Sequence, residues 1–113
     1  MNADPESNTL GELEDILVAH RALAVLTLLR SCLGVANDMV IRSYLAKVGL
    51  EGSYEDRRQC LEHLGRHGLV ETRPFSHLIV VTLTERGEDA ARGALAIGGV
   101  ERPGPGHRYP GIE

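Results

Sequence analysis

Leu13, Ile16, Leu17, Leu23, Leu26, Leu29 and Leu33 recur every three or four positions, with His20 on the same stripe. Together with the capping-box pattern Thr9-x-x-Glu12, this spacing predicts a long first helix over residues 9–33. Its middle, ILVAHRALAVLTLL, is apolar almost all round. A helix on the surface of a small monomer cannot keep so much apolar area in water, so the expectation is burial twice, by its own domain and by another chain. Asn37 is a good N-cap for a second helix, residues 37–48, with Val40, Ile41, Tyr44, Leu45 and Val48 on one face and Gly49 as its stop. Ser53, with Asp56 three residues on, opens a third helix, 53–67, whose apolar stripe is Cys60, Leu61 and Leu64, and Gly68 ends it.

After Gly68 the pattern changes to that of strands. Residues 69–72 are short and half polar, residues 78–83 (LIVVTL) are β-branched and apolar, and the Pro74-containing stretch 73–77 reads as the loop between them. Residues 69–83 are therefore a predicted hairpin. Thr84 caps a fourth helix, 84–96, whose packing side would be Ala90, Ala91, Ala94 and Leu95. The polar residues 1–8 read as a frayed acidic leader. Residues 98–113, with Pro103, Pro105 and Pro110 among five glycines, read as a tail without a helix or central strand. It is expected to be mobile or extended against the body, with Val100 and Tyr109 as its anchors. The whole is mainly α with a small β-hairpin, an α+β domain over residues 9–97.

Composition changes this picture in three ways. A chain of 113 residues with 42% hydrophobic residues is one globular domain, and with one Phe and no Trp its core must be aliphatic. The formal net charge of −4 is uneven: residues 1–15 carry five acids and no Lys or Arg, which leaves the remainder nearly neutral. Neutrality neither supports nor excludes a nucleic-acid partner. The two cysteines, Cys32 and Cys60, sit among apolar residues of predicted helices and fit a reducing cytoplasm. The apolar run 16–29 is too short, and interrupted by His20 and Arg21, to span a bilayer, so no membrane partner is expected.

The run CLEHLGRHGLVE, an apolar strand and then LTERGEDAA resemble the second half of winged helix-turn-helix domains of the arsenic-repressor (ArsR) and multiple-antibiotic-resistance (MarR) regulator type. Over residues 36–92 the resemblance implies a three-helix core, a wing and a C-terminal helix. The whole chain, including ANDMVIRSYLAKVGL and the GVERPGPG tail, is similar to small winged-helix proteins of Mu-like transposable phages. The family pattern puts the third helix in a DNA major groove and the wing in the minor groove. The implied DNA-binding residues are Ser53, Tyr54, Arg57, Arg58, Gln59 and His63 on that helix and Arg73 and His77 on the wing. The implied dimer interface is Ile16, Leu17, His20, Leu23 and Leu26 of the first helix with Leu95 of the fourth.

Catalytic chemistry finds no foothold. His20, His63, His67, His77 and His107 share no metal-ligand spacing with one another or with the cysteines. Metal-sensing arsenic-repressor relatives carry Cys-x-Cys where this chain has only Cys60, so neither a metal nor a cofactor is expected. Two functions remain. The first is a dimeric DNA-binding transcriptional regulator, in which Glu55 and Asp56 put two phosphate-repelling carboxylates at the start of the third helix. The second is a winged-helix module that docks another protein, for instance in a phage replication or packaging assembly.

Overall fold

A computed structural model describes residues 5–104, and within residues 5–9 the backbone alone. The element order is α1 (Pro5–Ser31), β1 (Val35–Asn37), α2 (Asp38–Lys47), α3 (Tyr54–Arg66), β2 (Val70–Phe75), β3 (Leu78–Leu83) and α4 (Glu85–Ala91). The chain is α+β, with a winged-helix-like arrangement of helices and a three-stranded antiparallel sheet in the order β1-β3-β2.

Helix α1 begins at Pro5, four residues before the expected start. Proline suits a first helical position, because its missing N–H is one of those that no carbonyl inside the helix can reach. Thr9 therefore lies inside α1 rather than capping it, and residues 5–8 belong to the helix rather than to a leader. At its other end α1 stops at Ser31, short of the expected residue 33. Leu33 and Gly34 turn left-handed, at φ 60° and 92°, and the Gly34 amide closes the helix on the Leu29 carbonyl at 2.7 Å. α2 and α3 end by the same six-residue closure, Leu50 onto Leu45 and Leu69 onto Leu64.

The first strand was not legible in the sequence. Val35, Ala36 and Asn37 pair antiparallel with Thr82, Val81 and Val80, too short a run to show a period of two. Asn37 ends this strand and also caps α2, its side chain accepting from the Val40 amide at 2.9 Å. Asp38 then fastens α2 to the sheet by accepting from the Ile79 amide at 3.1 Å. The hairpin is longer, and its turn tighter, than residues 73–77 suggested. Pro74 pairs with Ile79 and Phe75 with Leu78, leaving only Ser76 and His77 in the turn, with Ser76 at φ 58°. Proline is tolerated in β2 because β2 is an edge strand, where a missing N–H breaks no ladder.

Helix α4 ends at Ala91 instead of 96, because Gly93 adopts φ 82° and acts as a C-terminal stop rather than an interior residue. Ala90 and Ala91 are buried, Leu95 packs against the core from beyond the helix, and Ala94 is exposed. Gly87 allows α4 to approach: a Cβ there would lie 2.0 Å from the Leu69 carbonyl oxygen. Residues 98–104 lie against the body. Val100 is buried, the Glu101 amide donates to the Ala19 carbonyl at 3.0 Å, and Arg102 Nη2 donates to the Gly93 carbonyl at 2.8 Å. Tyr109 lies outside the described residues.

The core centres on α1, where Ala22, Leu23, Ala24, Val25, Leu26 and Leu29 are all at most 1% exposed. They meet Ile41 and Leu45 of α2, Cys60 and Leu64 of α3, Val81 of β3 and Ala90 of α4 in one cluster. One chain therefore covers this half of α1 without a second copy. The apolar residues of α1 left in water lie nearer its N-terminus: Leu10, Leu13, Ile16, Leu17 and Val18, with Ile16 53% exposed. Among the described residues, no helix is long and apolar enough to cross a membrane.

Candidate nucleic-acid interface

The candidate face consists of the outer side of α3 and the hairpin tip. α3 is held at its start by a complete capping box: Ser53 Oγ accepts from the Asp56 amide at 3.0 Å and Asp56 accepts from the Ser53 amide at 2.9 Å. Those hydrogen bonds keep the Asp56 carboxyl below its ordinary range. Ser53 is thus occupied in capping, and Tyr54 beside it is 72% exposed.

Arg58, the side chain best suited to reading a guanine edge, is enclosed by carboxylates. Its Nε and Nη2 reach the two oxygens of Glu55 at 3.1 and 2.5 Å, and its Nη1 pairs with Glu62 one turn further on. Gln59 also donates to Glu55, at 3.2 Å, and Arg66 lies 3.7 Å from Glu62. The Arg58 hydrogen bond pulls the Glu55 carboxyl below its ordinary range, and Glu55 in turn raises the guanidinium. Pairs this exposed to solvent stabilise a helix only weakly, so Arg58 can leave them, but the two carboxylates remain on the face.

Two of the expected contacts point elsewhere. Arg57 is drawn under the turn between α2 and α3, where Nη1 donates to the Gly52 carbonyl at 3.1 Å and approaches the Glu51 carboxylate at 3.6 Å. His63 Nε2 lies 2.8 Å from the Gly98 carbonyl oxygen, so this ring meets the C-terminal segment. Its neighbour His67 stands edge-on to it, with ring centroids 4.5 Å apart. The hairpin differs from α3. Arg73 is exposed on β2 and its side chain makes no ion pair or hydrogen bond among the described residues, and His77 sits in the turn with Ser76 Oγ 3.2 Å from its Nδ1.

The interface residues assigned to α1 divide in the same way. Leu23 and Leu26 are 0% exposed within one chain and belong to its core, whereas Ile16 and Leu17 are open to water and His20 and Leu95 are half-buried. The Cys60 thiol is buried and pushed up to about 12 by loss of solvation, which leaves it without a thiolate at neutral pH. What sequence reasoning missed is Arg21, 6% exposed inside the domain, whose Nε donates to the Leu50 carbonyl at 2.8 Å. The signal was its position within an otherwise apolar helical run.

A helix left open beside a two-stranded wing defines the class as a winged-helix-like domain. The chain is similar to the uncharacterized protein gp26 of Escherichia phage Mu, with 34% identity over 93 residues that span 82% of this chain and 97% of the Mu protein. It belongs to the family of that phage protein. No family model and no solved structure matches it.

Proposed function

We propose that this chain is a winged-helix protein that binds double-stranded DNA as a homodimer, α3 meeting the major groove and the β2–β3 hairpin the minor groove. The observation that carries this reading is Arg73: a cation on an exposed hairpin, without a carboxylate partner among the described residues, beside a helix whose outer face is polar and open. The exposed apolar side chains of Leu10, Leu13, Ile16 and Leu17 supply the surface for self-association, and twofold closure is the commonest way two copies join. With Glu55 and Glu62 on the face, the affinity expected is modest and its salt dependence shallow, because few phosphates are neutralised.

Fluorescence anisotropy against a random duplex at low and moderate salt tests the proposal. Arg73→Ala should lower the salt slope by about one phosphate contact. Replacing Glu55 and Glu62 together by Gln keeps hydrogen bonds to Arg58 while removing both charges, and should tighten binding. Asp56 is a poorer probe, since it holds the α3 cap.

The clamped state of Arg58 favours a second reading, a winged-helix module that docks a protein through a charge-balanced face. Absence of saturable duplex binding at low salt, both by the natural chain and by the Glu55→Gln/Glu62→Gln variant, would replace the DNA reading with this one.

A further inference from the structure

A cleft of about 210 Å³ opens between α1, α3 and the C-terminal segment, bordered on the α3 side by Gln59, His63 and Arg66. Val18, Ala22 and Cys60 give it an apolar wall, while Arg21, Gln59 and Arg66 bring donors to it. Gly99 closes one side, so close to α3 that a Cβ on it would lie 2.7 Å from His63 Nε2.

Arg21 is the unusual member. It is 6% exposed, its Nε is satisfied by the Leu50 carbonyl, and its two terminal nitrogens make no hydrogen bond or ion pair among the described residues. Asp56 also lines the cleft, and its carboxylate, which accepts from the Ser53 amide, is a nearby negative charge that Arg21 helps to keep ionised without a direct hydrogen bond to it. A guanidinium taken out of water with donors unspent is costly, and the cost is relieved when an anion meets it. Planar, forked donors fit a carboxylate, which accepts two parallel hydrogen bonds.

We propose that this cleft binds a small organic carboxylate with a short apolar body, its carboxylate on Arg21 and its body against Val18, Ala22 and Cys60. The volume is below the usual range for drug-sized ligands, which limits the occupant to roughly ten heavy atoms. Arg66 adds a second positive charge at the cleft, offset in part by Glu62 at 3.7 Å. Because Arg21 also supports the Leu50 carbonyl and lies against Gly52, an occupant would bear on the turn that joins α2 to α3. The inference rests on the cleft and not on what α3 meets, although Gln59 and His63 border both the cleft and the face assigned to DNA.

The test is a titration of the full chain followed by two-dimensional amide NMR, with isovalerate as the probe, isovaleramide as its neutral isostere and inorganic phosphate as the anion without an apolar body. Isovalerate should give saturable shifts confined to residues 18–22, 56–63 and 98–100, with an affinity about tenfold above that of the amide, the ratio expected for one charge-assisted interaction. Arg21→Lys, which keeps the charge and loses the fork, should weaken isovalerate several-fold. Since Arg21 supports the turn, a variant there can fail to fold, so Val18→Trp fills the cleft from its rim and should abolish the shifts in a protein with unchanged circular dichroism. The proposal is overturned if isovalerate and isovaleramide bind alike, if phosphate binds as tightly as isovalerate, if Val18→Trp leaves the shifts intact, or if no saturable shift occurs at tens of millimolar probe.

Discussion

Helices α1 and α3 pack against each other and are held by opposite means. Between Ala22 and Leu29 nearly every side chain of α1 is out of water, and its position follows from what the other elements lay over it. α3 buries only Cys60 and Leu64 fully; the rest of its order comes from the Ser53–Asp56 capping box, the turn at Gly68 and rows of exposed ion pairs. Packing is worth kilocalories per side chain and surface charge only tenths. A change in the buried half of α1 should therefore cost far more stability than one on the outer face of α3.

The largest break in that contrast should come from Leu26→Ala. Leu26 is 0% exposed, and removing a fully buried leucine side chain costs about 2–5 kcal/mol through lost burial and the cavity left behind. Urea unfolding should show the midpoint fall with an unchanged slope. On α3 the strongest local device is the cap, and Ser53→Ala should cost about 1 kcal/mol in the same measurement, since the Asp56 amide loses its acceptor.

Acid should separate the helices further. Asp56 and Glu55 both titrate below their ordinary values of 3.8 and 4.5, so they stabilise the folded chain at neutral pH. That contribution is lost as pH falls through their lowered folded-state values. Thermal melts should therefore decline below about pH 4.5, and Asp56→Asn should flatten part of that decline. Were the decline the same in Asp56→Asn, the capping carboxylate would not be its source.

The smallest effect on stability, within about 0.5 kcal/mol, is expected from Ile16→Ser, because Ile16 is on the uncovered part of α1. Its effect should appear in mass instead. Light scattering at tens of micromolar should give a dimer for the natural chain and a lower mass for Leu13→Ser/Ile16→Ser. A natural chain that is monomeric there would remove the self-association part of the proposed function.

Local chemistry alone determined a good deal of this protein. Asn37, Ser53 and Thr84 cap the helices that their neighbours suggested, Gly34, Gly49 and Gly68 lie at the ends of α1, α2 and α3, and the β-branched run LIVVTL is a strand. Each depends on a side chain acting on its own backbone or its next few neighbours, so spacing and residue type suffice. Tertiary structure decided what depends on distant partners. β1 is a strand because β3 offers an edge to Val35–Asn37. Gly93 stops α4, in a place where Arg102 reaches its carbonyl. Leu23 and Leu26 carried the same pattern as Ile16 and Leu17, but only the first pair lies where α2, α3, β3 and α4 converge. Periodicity identifies the apolar residues of a helix without saying which stretch of that helix the rest of the chain will cover. The same holds for charge: Arg58 and Arg73 are alike in sequence, and only the fold sets one between Glu55 and Glu62 and leaves the other open on the edge strand β2.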